Sequence, residues 1–358
     1  MKTCMCVMAM ATFAWASVLC APMVMAADAG KGAGKGEEKA VSAAIELVGD
    51  PIVIAGEAPY CAWADLVRLS TNGNLMVVYA AGAGHLKPDL AIHKRISGDD
   101  GKTWSEPDTV VPALNKGYSV RDPHVIQLAD GTLLLNYFSY PGGPETCRAH
   151  VIRSTDNGKT WSKPVTINPG VPFVWMATCG KILALKNGEL LLPLYYRLQK
   201  KAGTVGVIRS KDKGKTWSGL VSIQENNEDG EMEIAELSDG KLVALIRPSH
   251  VAFSKDKGKT WSKPQETVAL HAPGLLVDGE QLLMNYRSKG YGFASLGLSF
   301  DDGRTWPVTK ELLNGGADCA YGAIVRIQPQ GAGTYYTAFY APYKGSVKIV
   351  GWYFNVVK

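Results

Sequence analysis

Ser154-Thr155-Asp156-Asn157-Gly158-Lys159-Thr160-Trp161, the octapeptide STDNGKTW, decides how this chain folds because it recurs. Ser97–Trp104 reads SGDDGKTW, Ser210–Trp217 and Ser254–Trp261 both read SKDKGKTW, and Ser299–Trp306 reads SFDDGRTW. Five copies of one pattern are an internal repeat, and a repeat is read before any single site. Each copy reads as a tight turn that ends an apolar run. The Asp carboxylate accepts backbone N–H groups across the turn. The Gly takes the positive φ that other residues resist. The Thr opens the next strand, and the Trp ring covers the turn. The charged residues of the repeat are thus turn residues and not catalytic candidates.

A second repeat interleaves with the first: an apolar run, a turn ending in Gly, and another apolar run. It covers Leu66–Tyr79, His124–Phe138, Lys181–Tyr196, Ile234–Arg247, Ala272–Arg287 and Ala323–Tyr340. These are units one to six. After each of the first five comes a third short run that ends at a Ser-x-Asp turn. The runs are rich in Val, Leu, Ile and Tyr and bounded by Gly and Asp, which is strand patterning. Helical periodicity with caps is missing. About four strands in about 50 residues is the size of a propeller blade. The sequence therefore predicts an all-β, six-bladed β-propeller over residues 43–358 with four-stranded antiparallel blades. The N-terminal run Ala43–Ala55 is expected to complete the last sheet beside Val347–Val357, which leaves no free edge.

In a propeller the innermost strands line a channel, and the residues just before them gather at one mouth. Those positions hold Trp63 and Asp65, Arg121 and Asp122, Trp175 and Thr178, Glu231 and Glu233, His271, and Asp318 and Tyr321. The ends of the second strands, Arg247 and Arg287, and the loop Gly82–Asp89 reach the same mouth. Convergent polar groups in a concavity make a small-ligand site.

Composition narrows the rest. Residues 1–26 of the 358 read as a secretory signal peptide: Lys2, an apolar stretch from Met5 to Leu19, and Val24-Met25-Ala26 for cleavage. No Leu stands three residues before Cys20, so a soluble exported protein, periplasmic or extracellular, is expected rather than a lipoprotein. No other stretch is long enough to span a bilayer. Residues 27–42 read as a flexible linker. The formal net charge is +5, and loss of Lys2 would leave +4. The lysines are spread among the turns, and the basic stripe of a nucleic-acid binder is missing. Cys61, Cys147, Cys179 and Cys319 match no zinc spacing. No metal, no cofactor and a monomer are expected.

The five turns resemble the Asp-boxes of the sialidase superfamily, and the resemblance runs from about Ala43 to Lys358. It implies a six-bladed propeller and a glycosidase mouth. Glu231 stands five residues before Glu236-Leu237, and Arg247 eight residues after Asp239. By resemblance Glu231 is the base that ionises a nucleophilic Tyr, Tyr321 in DCAYGAIVRI is that Tyr, and Arg247 grips a substrate carboxylate. Arg287 is a looser counterpart of a further arginine. A Tyr nucleophile is a recognised exception to two-carboxylate glycosidase chemistry.

Two departures stand out. The family's Arg-Ile-Pro is replaced by Tyr60-Cys61-Ala62-Trp63-Ala64-Asp65, without an Arg, and Arg121 of Arg121-Asp122-Pro123 is the substitute. The place of the family's acid/base Asp falls near His85, with Asp89 as the nearest carboxylate. The expectation is an exported exo-acting hydrolase that releases a sialic acid or related acidic sugar. Tyr321 and Glu231 would carry the attack, with Asp89, Asp122 or His85 as acid. Arg247, Arg287 and Arg121 would hold the carboxylate, with Asp65, His271 and Asp318 beside them. The alternatives are a carbohydrate-binding propeller without catalysis, and a non-sialic glycosidase or polysaccharide lyase at the same mouth.

Overall fold

The computed structural model describes residues 43–113, 119–140, 146–178, 180–227, 230–288, 292–316, 318–327 and 334–357. The expected signal peptide and linker, and Cys179, lie outside them. Among the described residues there are strands and no α-helix, hence none long and apolar enough to cross a membrane. The strands form a β-propeller arrangement of antiparallel sheets, one following another along the chain.

Units two, four and five are four-stranded sheets, and unit three is five-stranded because Leu183–Ala184 adds a short arm to Leu190–Leu198. Units six and one differ from expectation. They are fused into one eight-stranded sheet, through a single parallel pairing of Tyr60 with Val347. Four sheets of blade size and one double-width sheet thus replace six separate sheets. The cause is local: the last strand, Ser346–Val357, lies where the first inner strand, Tyr60–Arg68, begins. The N-terminal strand Ala44–Ala55 pairs antiparallel with Ser346–Val357, as the sequence suggested.

The core follows from strand patterning. The middle strands are buried on both faces; Leu75 to Ala80 are all fully buried. Such strands read as continuous apolar runs and not as alternation. The apolar clusters join successive units. Met76 and Val78 pack with Leu133 and Leu135, Leu134 with Leu192, and Leu191 with Leu242. Leu245 packs with Leu282, Leu283 with Ile324, and Tyr336 with Val77. The last pair returns unit six to unit one and closes the ring. A fully buried Leu contributes about 1.5–3 kcal/mol over an exposed one, so these seams hold the ring together.

The Ser-x-Asp turns are built alike. Ser154 Oγ donates to Asp156 Oδ1 at 2.7 Å and accepts the Gly158 N–H at 2.8 Å. The Asp156 carboxylate accepts the Thr160 N–H at 2.9 Å and the Thr160 hydroxyl at 2.6 Å. The Thr is therefore no strand residue. Its hydroxyl closes the turn, because the carboxylate has an acceptor to spare. Hydrogen bonds from Thr103 and Ser97 hold the matching Asp99 carboxyl down at about 2. Gly158 has φ +80°, and a Cβ on it would meet Met76 Cε of unit one at 2.7 Å. The turn Gly thus also seats each turn on the preceding unit.

Candidate functional site

The mouth residues are placed by bulges. The pairing of inner with second strand slips between Ala62 and Asp65, Arg121 and His124, His271 and Gly274, and Ala320 and Ala323. At the slips Trp63, Asp122, Ala272 and Tyr321 adopt φ of +55°, +46°, +47° and +43°. A bulge re-aims a side chain, and positive φ on such residues costs of order 1–3 kcal/mol each. The four positions are equivalent in four units. In unit two the residue before the slip, Arg121, faces Phe138, and Tyr140 lies two residues further on, opposite Ser119; in units five and six the residues before the slip, His271 and Ala320, face Arg287 and Tyr340. Arg247 holds the same place in unit four, donating its N–H to Glu231 O at 2.9 Å.

Glu231 is the hub. It is 7% exposed. Its Oε1 accepts the Tyr321 hydroxyl in a short hydrogen bond and lies 3.1 Å from Arg247 Nη1. Its Oε2 accepts the Ala272 N–H at 3.1 Å. Three different units therefore hold one carboxylate. Burial pushes the Tyr321 phenol well up, the charges of Glu231 and Asp122 and the bond to Glu231 add to this, and Arg287 opposes them. At rest Tyr321 is a neutral donor. The Arg287 guanidinium sits 5.8 Å over the Tyr321 ring and donates to His271 Nδ1 at 3.0 Å. Burial, then Arg247 and Arg287, push His271 down to about 3. His271 is thus a neutral acceptor that orients Arg287.

Beside this hub lies a second group. Asp318 accepts the Tyr60 hydroxyl at 2.9 Å and the Tyr340 hydroxyl at 2.5 Å, and His85 Nδ1 lies 3.2 Å away. Burial alone would raise the Asp318 carboxyl, but hydrogen bonds from His85, Tyr340 and Tyr60 outweigh it and hold it below its ordinary range. The Tyr340 ring is 5.8 Å from that of Tyr321, which joins the two groups.

Arg121 and Asp122 form the third wall, each 5% exposed. The Arg121 guanidinium lies 4.1 Å over the Tyr140 ring and 5.8 Å from that of Trp63, and its Nε donates to Ser119 Oγ at 2.9 Å. Burial, then Glu231, pushes the Asp122 carboxyl well up, as does Asp318, while Arg121 opposes. Arg121 Nη2 and Asp122 Oδ1 find no hydrogen-bond partner among the described residues.

Two expected site residues do not join these groups. Asp65 accepts the Val125 N–H at 2.7 Å and pairs with Lys181 at 2.9 Å, so it clamps unit one to units two and three. Asp89 caps its own loop by accepting the Ala83 N–H at 3.0 Å. Glu233 also serves structure: it accepts the Lys181 N–H at 2.8 Å, and burial pushes it up to about 8 against the pull of Lys181. The bulges offered no sequence signal beyond their mouth position. Tyr60, Tyr140 and Tyr340 were missed, although Tyr340 occupies the position that drew notice to Arg287, and Tyr140 lies two residues beyond that position in unit two. Cys61, Cys147 and Cys319 are buried free thiols. Among the described residues no three His, Cys, Asp or Glu side chains are grouped to hold a metal ion.

Residues 73–333 match the family of BNR repeat-like domains, well over half of the chain. The chain belongs to the BNR repeat-like family. It is a divergent member of the sialidase superfamily. A sialidase of Bacteroides fragilis is 26% identical over 225 residues, which are 55% of this chain and 41% of that protein. The BNR repeat-like chain spans less than two thirds of each curated sialidase it matches. Among solved structures, a Dyadobacter fermentans protein of unknown function superposes with a TM-score of 0.75 at 20% identity, covering 87% of this chain and 99% of that one. Trypanosoma rangeli sialidase in complex with sialic acid superposes with a TM-score of 0.65 at 14% identity, covering 87% and 58%. At these identities the superpositions establish the fold of the BNR repeat-like chain.

Proposed function

We propose that the protein is an exo-acting glycoside hydrolase of the sialidase type that releases a terminal sialic acid or a related uronic or keto-sugar acid. The observation that carries this reading is the sharing of Glu231 Oε1 between the Tyr321 hydroxyl and the Arg247 guanidinium. Tyr321 attacks the anomeric carbon. Its phenol is held neutral at rest, so its proton passes to Glu231 as the new bond forms. Arg247, Arg287 and Arg121 supply planar forks for the substrate carboxylate. A carboxylate on Arg247 competes with Glu231 for that guanidinium.

The test is turnover of fluorogenic sialosides and uronosides by the wild-type protein and by Tyr321→Phe. Activity on an acidic glycoside that vanishes in the variant supports the reading. Absence of turnover above the variant on every such substrate sinks it. A second reading rests on Trp63, 4% exposed, which fills the bulge of unit one where the resemblance expects an arginine. A site with one arginine fewer suits a glycan-binding propeller without chemistry, or a non-sialic glycosidase or lyase. Glycan binding by calorimetry that is indifferent to Tyr321→Phe would favour the binding module.

We further propose that the double-width sheet acts as two blades, which makes six, that residues 1–26 are removed on export, and that the mature chain is a monomer. N-terminal sequencing of the exported protein and sedimentation check the last two.

A further inference from the structure

The hydrolytic reading leaves the general acid open, and the following inference rests on that reading. The geometry points to His85, oriented by Asp318, as the group that protonates the leaving oxygen and then activates water. His85 lies on the loop Gly82–Asp89, with its side chain 44% exposed at the mouth. Its Nδ1 is 2.9 Å from Tyr60 Oη and 3.2 Å from Asp318 Oδ2. A phenol has one proton, and those of Tyr60 and Tyr340 are both given to Asp318. The oxygens facing Nδ1 therefore present lone pairs, and Nδ1 must carry hydrogen. This determines the tautomer. Nε2 is the nitrogen that exchanges a proton, and among the described residues nothing hydrogen-bonds to it. The ring is held edge-on to Trp63 at 5.0 Å and against Tyr60 at 5.8 Å.

The rival acids are less suitably placed. Asp89 is engaged by the Ala83 N–H. Asp122 is buried beside Arg121 at 5% exposure, whereas the His85 side chain is open to the mouth. The charged and titratable groups that meet His85 are Tyr60 of the first inner strand and Asp318, which precedes the strand Ala320–Arg326 and is itself bonded by Tyr340; Lys87 and Asp89 share its loop. A carboxylate that orients an imidazole and pairs with its cation is an established arrangement, and here Asp318 is the positioning residue.

The proton balance closes. In the first step the bond from the anomeric carbon to the leaving oxygen breaks, and the Nε2 proton of the imidazolium goes to that oxygen. The Tyr321 oxygen bonds to the carbon, and its proton goes to Glu231. In the second step water attacks the carbon and gives a proton to Nε2. The carbon–tyrosyl bond breaks, and Tyr321 recovers its proton from Glu231. The sum is hydrolysis with every residue restored.

The test uses the full chain and paired acidic glycosides, sialosides and hexuronosides, that differ only in a 4-nitrophenyl or a methyl leaving group. A 4-nitrophenolate leaves without protonation. His85→Ala is expected to lower kcat/KM on the methyl glycoside by about 10²–10⁴-fold, to lower it on the nitrophenyl glycoside by less than about tenfold, and to abolish the basic limb of the pH profile. Asp318→Asn is expected to show the same leaving-group dependence more weakly. Nitrogen NMR of the wild type, which needs no turnover, is expected to show hydrogen on Nδ1 of neutral His85. Equal losses on both substrates, no loss, or an Nε2–H tautomer overturns the assignment. A wild type inert on every nitrophenyl glycoside overturns the hydrolase reading and the acid role together. A wild type that turns over, with an unaffected His85→Ala, overturns the acid role alone. Thermal unfolding of each variant checks that it folds.

Discussion

The outer Ser-x-Asp turns and the inner-strand bulges do similar geometric work by opposite means. Each turn is nearly self-contained: within eight residues Ser154, Asp156, Gly158 and Thr160 satisfy one another. Each bulge relies on other units. Tyr321 of unit six is held by Glu231 of unit four, which is held in turn by Ala272 N of unit five. A local device can be copied five times and can be seen in the sequence. A cooperative one must differ in every unit and leaves no repeated trace.

Glu231→Gln should break the inner network most. It removes the proton acceptor while keeping shape, and kcat on an acidic glycoside is expected to fall by about 10²–10⁴-fold while thermal unfolding shifts far less. A loss confined to KM would instead make Glu231 a binding group. Next comes Gly322, which follows Tyr321. A Cβ there would meet Ala338 O at 2.4 Å and Asn285 Oδ1 at 2.7 Å. Overpacking of this kind costs about 1–3 kcal/mol, so Gly322→Ala is expected to lower the denaturation midpoint and activity together. Activity lost at an unchanged midpoint would show that the strain stays local.

Coupling separates the two regions directly. Asp156→Ala and Asp212→Ala lie in separate turns, and their effects are expected to add within about 0.3–0.5 kcal/mol. Glu231→Gln and Arg247→Met share a network and should depart from additivity by about 0.5–3 kcal/mol. A coupled pair of turns would contradict the view that each turn stands alone.

The smallest effect concerns pH. Burial holds Glu233 up at about 8 when folded, against about 4.3 for an unperturbed Glu. Between those values the folded state binds more protons than the unfolded one, so this group makes stability fall as pH rises. Its contribution is fully present below the unfolded value and is lost on passing through about 8. Glu233→Gln should flatten the dependence of Tm on pH from 5 to 9, and an unchanged slope would assign it to other groups.

Much of the site was legible because propeller phase converts sequence position into place. Glu231, Arg247, Arg287 and Tyr321 come together as the mouth positions required. Asp65 has the same phase, yet it points along the seam to Val125 and Lys181. Phase places a backbone at the mouth, whereas the direction of a side chain there depends on what the neighbouring unit offers. Tyr60 and Tyr340 were overlooked because a tyrosine beside a strand reads as packing until its hydroxyl is seen to meet a carboxylate.

Alone, the sequence determined the all-β propeller class and the Ser, Asp and Gly roles in the turns, though not the Thr hydroxyl that closes each of them, because strand patterning and turn chemistry depend on residues close together in the chain. The tertiary structure decided the fusion of the first and last units at Tyr60 and Val347. It also decided which carboxylates face the mouth and which serve the seams between units. Those outcomes arise from burial and from charges brought together across units, and no window of sequence contains both partners.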